Sequence, residues 1–553
     1  MTAAMTAPRI ATAMTAPDPD RFVHHALLRH AGERPDAPFL LGGAGVRYGE
    51  AARWVARLAA SGLLPAPGEP VAIWMDKGNG YALAILAALF AGNRYVPLDG
   101  AQPVERADTI VGDAGATVLI TDSAHAARWL SHTVTAQLSR LLVVDDAPLE
   151  IPPHAMSAAR GLVLQLRADL ADLSDLRDEA DHPAAVAVPC EDDDVAAMLY
   201  TSGSTGLPKG VQLSHRNLAN FVGWSADTLG LTAADRLLNF ASFNFDLSTF
   251  DLFASLRAGA ALYVTSEAQT RQVAQVAGLI ARHGITTMYS VPSMLALLNR
   301  ADAWRGIAPC ALRNVVFAGE VMPKPQLRTM AAQLPADCAF YNFYGPTETN
   351  VCLYHRVTEA DLHNDAPLPV GTPIRATEVW LRDDNGQPVT APGEIGEIWV
   401  RGACVTPGYW RRDTDPNTAN HRAGMHATGD HGEIVDGVLV YRGRKDRMLK
   451  LSGYRVELGE IEAALARHPS VHEVAVLAHA DEPGAAARLF AWYVPRGTGE
   501  AVAPLALRRF CADLLPAYMI PNHIAQRDAL PRTPNGKIDY RALQRGVSQE
   551  GGQ

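Results

Sequence analysis

The chain has 553 residues, of which 48% are hydrophobic and 20% are charged. This composition is typical of globular proteins and excludes disorder over most of the length. Acidic residues outnumber basic residues by 59 to 49, which disfavours general nucleic-acid binding because that function needs concentrated positive charge. Six cysteines occur without CxxC spacing, so we expect no disulfide framework, no zinc site and a cytoplasmic location.

The chain begins with a segment that differs from the rest. Residues 1–20, MTAAMTAPRIATAMTAPDPD, contain no continuous apolar stretch, and they predict a disordered leader rather than a secretory signal. No later stretch reaches the ~20 apolar residues that a membrane-spanning helix needs. From about residue 70, short apolar runs such as VAIWM at 71–75 and TVLIT at 117–121 alternate with helix-like segments such as 80–91. This alternation predicts parallel strands joined by crossover helices, which is an α/β fold.

The pattern changes further along the chain. Residues 145–194 are rich in Ala, Asp and Leu, and they predict a surface excursion with one helix. Around 368–443, short segments rich in Val, Trp and Tyr are separated by DNG, PGE and DG turns, which is typical of β-hairpins. We therefore predict a large N-terminal domain at 21–445, a small C-terminal domain at 446–545 and a disordered tail at 546–553.

A glycine-rich loop, YTSGSTGLPKGV at 200–211, directly follows a predicted strand at 195–200. Its hydroxyl groups and glycine amides can surround an anion, and its lysine adds positive charge. The loop suits a polyphosphate, but it is not a Walker A sequence, because Pro208 stands where that motif has a glycine. The residues predicted to bind the phosphates are Thr201, Ser202, Gly203, Ser204, Thr205, Gly206 and Lys209.

This loop resembles the phosphate loop of the adenylate-forming superfamily, which contains acyl-CoA synthetases, luciferases and the adenylation domains of nonribosomal peptide synthetases. Further matches follow in the superfamily's order, from about residue 20 to 545: FNFDLSTFDLF at 243–253, YNFYGPTE at 341–348, HATGD at 426–430, GRKDRMLKLSGYRVELGEIE at 443–462 and TPNGKID at 533–539. The amino-acid-adenylating branch is the most similar. The resemblance implies two parallel-sheet α/β subdomains and a small β-barrel, followed by a small mobile α+β domain.

The resemblance also implies an ATP-dependent ligase. A carboxylate attacks ATP to give an acyl-adenylate and pyrophosphate, and the acyl group then passes to a thiol; positioning and electrostatic stabilisation serve such a reaction. Glu348 matches the magnesium ligand, and its oxygens suit this hard cation. Lys537 matches the catalytic lysine of adenylation, and Lys450 matches the lysine that faces the site during thiolation. The other matched residues are Thr347 for the α-phosphate, Gly319 for the nucleotide, Asn342 and Tyr344 for adenine, Asp430 and Arg444 for ribose, and Asp446 for the hinge between domains.

Ten positions match those that set amino-acid selectivity in this branch. Asp246 and Lys537 suit the ammonium and carboxylate groups that all α-amino acids share. The other eight carry no charge, so an ionised substrate side chain would be left unpaired at a large energetic cost. The pattern resembles that of prolyl ligases that load carrier proteins, so L-proline is the predicted substrate, with alanine, valine or a substituted proline as alternatives. The eight uncharged positions are Leu247, Phe250, Ser290, Val316, Ala318, Phe343, Val351 and Cys352.

Two other functions are compatible with part of the pattern. A fatty-acyl or aryl-CoA ligase would share Glu348, Asp430 and Lys537, but the Asp246 carboxylate would be unfavourable beside an acyl chain without a cation. A nucleotide-binding scaffold without activity would be expected to lose these groups. The segment after Lys537 shows no phosphopantetheine attachment site. We therefore expect a separate carrier protein to supply the thiol, with coenzyme A as the alternative acceptor and no nucleic-acid or membrane partner.

Overall fold

The computed structural model describes residues 10–11, 21–132, 138–151, 153–156, 161–166, 187–203, 207–307, 310–389, 391, 393–444, 448–451, 453–480, 487–496, 502–532 and 538–550. Three large sheets lie in the segment before residue 445, and two small sheets lie after it. This arrangement of sheets and helices confirms the predicted α/β class with a large and a small domain. Among the helices described, none combines the length and apolar character needed to cross a bilayer.

The first sheet has eight strands. In spatial order they are Gly408–Tyr409 (β20), Lys209–Ser214 (β10), Val195–Thr201 (β9), Arg94–Pro97 (β5), Pro70–Trp74 (β4), Val118–Thr121 (β6), Arg140–Val144 (β7) and Val163–Leu166 (β8). Neighbours from β9 to β8 run parallel, as predicted from the alternation of strands and helices. Strand β8 lies within the predicted surface excursion and was not predicted as a strand. Its burial pattern, with only Leu166 fully buried, is that of an edge strand without a clear apolar run.

The second sheet has nine strands. In spatial order they are Thr372–Pro373 (β17), Leu353–Arg356 (β16), Ala339–Tyr344 (β15), Asn314–Ala318 (β14), Thr287–Ser290 (β13), Arg236–Asn239 (β11), Ala261–Val264 (β12), Pro38–Leu40 (β2) and Val46–Arg47 (β3). The strands from β15 to β2 run parallel. Ligands of such sheets bind beyond the carboxyl ends of the strands. Several predicted site residues lie at the ends of β13, β14 and β15.

The third sheet is antiparallel and has five strands. In spatial order they are Ile10–Ala11 (β1), Thr377–Arg382 (β18), Ile395–Gly402 (β19), Met425–Val435 (β21) and Val438–Arg444 (β22). Among the residues described, β1 and β22 are not paired with each other, and a bridge joins Leu439 of β22 to Gly371, just before β17. Strand β1 lies inside the segment predicted to be a disordered leader, and it pairs with Val379 and Glu378.

The small domain contains a two-stranded hairpin and a three-stranded sheet. The hairpin, which we call the Lys450 hairpin, consists of Met448–Leu451 (β23) and Tyr454–Glu457 (β24). The three-stranded sheet consists of Val471–His479 (β25), Arg488–Pro495 (β26) and His523–Gln526 (β27). The helix Leu458–Ala466 connects the hairpin to this sheet.

Helices cover the faces of these sheets. They are Ala26–Glu33 (α1), Tyr48–Ala60 (α2), Asn79–Phe90 (α3), Val104–Ala114 (α4), Ser123–Ser131 (α5), His215–Thr228 (α6), Leu247–Ala258 (α7), Glu267–Thr270 (α8), Val273–His283 (α9), Pro292–Arg300 (α10), Lys324–Gln333 (α11), Glu359–His363 (α12), Thr418–Arg422 (α13), Leu458–Ala466 (α14), Pro504–Ala512 (α15) and Tyr540–Glu550 (α16). Short 3-10 turns occur at Pro153–Ala155, Ala303–Ile307 and Ala517–Met519. Helix α3 is buried on every side from Tyr81 to Phe90, which explains its lack of a polar face. Helices α3 and α7 contribute to one apolar core that the first and second sheets share. This core fixes the position of Asp246, which directly precedes α7.

Candidate active site

The glycine-rich loop is the turn between strands β9 and β10. Lys209, at the start of β10, lies directly across from Thr201 at the end of β9. The Lys209 amine lies 3.8 Å from a carboxylate oxygen of Asp415 and 4.0 Å from the ring centroid of Tyr409. The Thr201 hydroxyl is buried and has no hydrogen-bond partner among the residues described. The loop therefore brings an ammonium group and an unused hydroxyl to the same edge of the sheet.

Glu348 is fully buried, and its carboxylate is surrounded by hydrogen-bond donors. Nη1 of Arg455 lies 2.8 Å from each carboxylate oxygen, and the Tyr409 hydroxyl donates to Oε1 at 2.6 Å. Burial alone would raise the pKa of Glu348, but the charges of Arg455 and other neighbours, including Lys209, hold it well below its ordinary value. Nε2 of His426 is 4.0 Å from Oε2, and burial lowers the pKa of His426 to about 3. The site thus keeps a buried carboxylate ionised at neutral pH.

Asp430 and Arg444 face each other across strands β21 and β22. Nη1 of Arg444 donates to Oδ1 of Asp430 at 2.6 Å, and the Tyr344 hydroxyl donates to Oδ2 at 2.6 Å. These two contacts fix the orientation of the Asp430 carboxylate. Asn342, two residues before Tyr344 on β15, is buried and donates to the Pro369 carbonyl at 2.8 Å. The four residues predicted to contact adenine and ribose therefore lie on adjacent elements.

Asp246 immediately precedes helix α7 and is buried. The Thr347 hydroxyl donates to its Oδ2 at 2.7 Å. Burial raises the pKa of the Asp246 carboxyl, although the Thr347 hydrogen bond and the Lys450 charge act in the opposite direction. A buried carboxylate of this kind is stabilised by a cation, and a substrate ammonium group would supply one. In this structure the Thr347 side chain contacts Asp246, whereas the sequence predicted a contact with the α-phosphate.

Three of the predicted selectivity residues lie on one face of the second sheet: Val316, Ala318 and Phe343. Residues in register on parallel strands lie side by side on the same face. Val316 is in register with Tyr289, and Ala318 is in register with Phe343. Because side chains alternate along a strand, Tyr289 shares this face, whereas Ser290 lies on the opposite one. Tyr289 is therefore a further residue of this face, while Ser290, in register with Phe317, is buried and its hydroxyl has no hydrogen-bond partner among the residues described.

Ring contacts support this assignment of Tyr289. Its ring lies 5.4 Å from the ring of Phe250 and 5.6 Å from the ring of Phe343, measured between centroids. The side chain is buried, which raises the pKa of its hydroxyl, and Asp246 adds to this effect. Tyr289 therefore packs against both phenylalanines and lies near enough to Asp246 for that charge to act on its hydroxyl.

The remaining pocket residues close the same region. Leu247, at the start of α7, is buried directly beside Asp246. Val351 and Cys352 are buried as well, and the Cys352 amide donates to the Tyr344 carbonyl at 2.8 Å. This hydrogen bond folds the segment after YNFYGPTE back beside β15. The residues predicted to form the pocket therefore come from α7, β13, β14, β15 and the loop after β15.

The Lys450 hairpin of the small domain contacts the large domain at this site. Lys450 lies close enough to Asp430 and Asp246 for both carboxylates to act on its pKa, which burial lowers. The Gly453 amide donates to the Glu320 side chain at 2.9 Å. A side chain at Gly453 would clash with Val291 and press on Phe245, so this glycine permits close contact between the domains.

Comparison with known proteins decides the family. Residues 27–410 match AMP-binding enzymes, and residues 460–537 match the C-terminal domain of AMP-binding enzymes. The chain belongs to the AMP-binding enzyme family. The second match extends to Lys537.

Two curated relatives of this AMP-binding enzyme are similar along nearly their whole length. An L-proline--[L-prolyl-carrier protein] ligase from Streptomyces coelicolor is 47% identical over 509 residues, which is 92% of this chain and 93% of the relative. A protein of the same name from Pseudomonas fluorescens is 34% identical over 495 residues, which is 89% of this chain and 92% of the relative.

Solved structures share the fold of this AMP-binding enzyme. The amide bond synthetase McbA from Marinactinospora thermotolerans has a TM-score of 0.80 at 23% identity, covering 95% of this chain and 99% of McbA. The Vibrio cholerae adenylation domain AlmE, in complex with glycyl-adenosine-5'-phosphate, has a TM-score of 0.79 at 23% identity, covering 98% and 100%. At this level of identity the likeness concerns the fold alone.

Some residues of this AMP-binding enzyme were missed by sequence reasoning, and others lie outside the described part of the chain. Tyr289 could have been found from the alternation of side chains along β13. Arg455 lies within a recognised motif, but its contact with Glu348 joins two domains and has no local signal in the sequence. The predicted residues outside the described part are Ser204, Thr205, Gly206, Asp446 and Lys537.

Proposed function

We propose that this AMP-binding enzyme activates L-proline with ATP as prolyl-AMP, releases pyrophosphate, and transfers the prolyl group to the phosphopantetheine thiol of a carrier protein. The observation that carries this proposal is a buried carboxylate, Asp246, beside a pocket whose other described side chains are uncharged. The names of the two curated relatives support proline as the amino acid and a carrier protein as the acceptor.

Asp246 binds the substrate ammonium group in this proposal. The Thr347 hydrogen bond holds the carboxylate in place before the substrate arrives. Proline carries a secondary ammonium with two N–H donors, so one can go to Asp246 and the other to a second acceptor. The ring of the substrate then packs against Phe250, Tyr289 and Phe343, where a charged side chain would find no partner.

The donor chemistry at Glu348 fits a magnesium ion. Its carboxylate is buried, ionised and made of hard oxygen donors, and a phosphate-binding lysine lies nearby. Glu348 would hold the ion, which when bound neutralises charge on the phosphate oxygens. Lys209 and the hydroxyl of Thr201 would bind the phosphates beside it.

The nucleotide would bind between the second and third sheets. The ring of Tyr344 offers a face to adenine, while Asn342 offers an amide to its edge. The Asp430 carboxylate, held by Tyr344 and Arg444, keeps further lone pairs for the two ribose hydroxyls. Gly319 lies at the end of β14, where it permits close approach of backbone.

Two lysines would serve the two half-reactions. Lys537 stabilises charge during adenylation, and the Lys450 hairpin faces the site during thiolation, with a hinge at Asp446 between domains 21–445 and 446–545. The charges of Asp430 and Asp246 act on the buried ammonium group of Lys450, and this proximity supports its role in thiolation. The cytoplasm is the proposed compartment, because all six cysteines are free thiols.

The experiment that tests this function is ATP–pyrophosphate exchange with each of the twenty amino acids. We expect proline to give the highest kcat/KM, at least about tenfold above alanine and valine, because pockets discriminate such side chains by this order. An Asp246→Asn variant is the control, since it should respond much more weakly to every amino acid. Proline activity no higher than that of alanine or valine would refute the assignment.

The raised pKa of Asp246 predicts how proline binding depends on pH. Only the ionised carboxylate binds an ammonium group well, and burial makes it take up a proton at a higher pH than an ordinary aspartate. We therefore expect KM for proline to rise as the pH falls toward this raised pKa. Exchange assays across the mildly acidic range measure the effect. Asp246→Asn should show a high KM for proline that does not depend on pH. If the variant keeps the same pH dependence of KM as the natural enzyme, the prediction is contradicted.

A further inference from the structure

Arg455 forms an ion pair with Glu348, the carboxylate that would hold the metal ion in the proposed function. It belongs to the Lys450 hairpin of the small domain, whereas Glu348 belongs to the large domain. Its Nη1 lies 2.8 Å from both Glu348 oxygens, and the Glu348 side chain is fully buried. A cation that uses Glu348 as a ligand would compete with Arg455 for the same two oxygens.

The hairpin is also held beside Glu348 by backbone contacts. The Ser202 hydroxyl donates to the carbonyl of Arg455, and the same hydroxyl accepts the Glu457 amide at 3.1 Å. Ser202 is part of the glycine-rich loop that would bind the phosphates. The docked hairpin thus engages both the metal ligand and the phosphate loop.

A second buried ion pair joins the domains, with the arginine in the large domain and the glutamate in the small domain. Arg106 of α4, in the large domain, pairs with Glu460 of α14, in the small domain, and both side chains are buried. Glu348 accepts hydrogen bonds from Arg455 and Tyr409, whereas Arg106 donates to Glu460 on a different element. The second pair therefore stabilises docking without acting on the metal ligand directly.

We propose that Arg455 takes the place of the metal on Glu348 when the Lys450 hairpin docks, so that metal binding and docking exclude each other. The proposal rests on the metal role of Glu348 in the proposed function. Arg455 would then be a positioning residue that neutralises Glu348 whenever no metal ion is bound there. The exchange of one cation for another keeps the buried carboxylate paired in both halves of the reaction.

Thermodynamic linkage makes this proposal measurable. If docking weakens metal binding by some factor, the metal must weaken docking by the same factor. A substitution that loosens docking at a distant contact will therefore tighten metal binding at Glu348. A structural role of Arg106 confined to its own surroundings would leave the metal affinity unchanged.

The test is a titration with Mn2+ alone, followed by electron paramagnetic resonance, in the absence of nucleotide. Arg106→Met and Glu460→Gln each break the distant pair, so either suffices if the other fails to fold. Arg216→Met is the matched control, because it removes an arginine from an exposed ion pair with Asp193. We expect both docking variants to bind Mn2+ at least about fivefold more tightly than the natural chain, and the control to bind it equally.

Two results separate the possible failures. If Glu348→Gln binds Mn2+ as the natural chain does, the metal role of Glu348 is wrong and the inference fails with it. If Glu348→Gln loses Mn2+ binding while Arg106→Met and Glu460→Gln keep the natural affinity, the metal role stands and the exclusion is overturned. Hydrogen exchange gives an independent measurement: Mn2+ should speed exchange at the amides of Gly453 and Glu457, and unchanged rates would also overturn it.

Discussion

A Lys537→Ala variant is expected to form prolyl-adenylate on the order of 10²–10³ times more slowly than the natural enzyme. Its ammonium group is proposed to bridge the substrate carboxylate and the α-phosphate, and such a contact gains most in the charged transition state. Proline-dependent ATP–pyrophosphate exchange measures this step. Because the contact is proposed to act in the transition state, kcat should fall more than KM for proline rises.

The control for this prediction is Arg532→Ala. It removes a cation nearby in the chain, from an exposed ion pair with Glu473, and it should leave exchange close to normal. Urea unfolding of both variants shows whether the fold is retained. Near-normal exchange in a folded Lys537→Ala protein would remove Lys537 from the mechanism.

The second large effect is expected from Lys450→Ala, and it concerns the other half-reaction. The hairpin places Lys450 near Asp430 and Asp246, so its charge acts on the site when this face of the small domain is docked. Loss of the charge should slow thioester formation by about 100-fold while exchange falls by less than about tenfold. Radiolabelled proline on a phosphopantetheinylated carrier protein, with pantetheine as a second acceptor, measures the thiolation step.

Lys324→Ala is the matched control for Lys450→Ala. Lys324 begins helix α11 and donates to the Asp361 carbonyl, away from the site residues described above. It should leave the ratio of thiolation to exchange unchanged. An equal loss of both half-reactions in Lys450→Ala would contradict a role specific to thiolation.

Sequence patterns predicted the interior of the fold better than its edges. Strand β4 and helix α3 are buried on all sides. Their sequences are therefore continuous apolar runs, which made both elements predictable. Strand β8 has two exposed side chains of four and no such run, so only its pairing with β7 shows that it is a strand. Strand β1 was not predicted for a similar reason, because its two residues are too few to form a pattern; only its pairing with β18 shows that it is a strand.

The site was predictable where a motif and its contact lie on adjacent strands. Asp430 and Arg444 are of this kind, because both belong to the hairpin of β21 and β22. Tyr289 was not predicted, since matching positions along the sequence does not show which neighbouring side chains a strand brings to the same face. The pairing of Glu348 with Arg455 depends on how two domains meet, which no local pattern reports.

The contact of Tyr289 with both Phe250 and Phe343 has a consequence for how substrate preference can change in evolution or by design. Neighbouring side chains in contact have non-additive effects when they are substituted. A single change at any of the three rings leaves a gap or a clash against the other two, so most single steps toward a new substrate pass through a poorer enzyme. Libraries that vary the three positions together, with Asp246 left unchanged, offer a direct route to altered amino-acid preference.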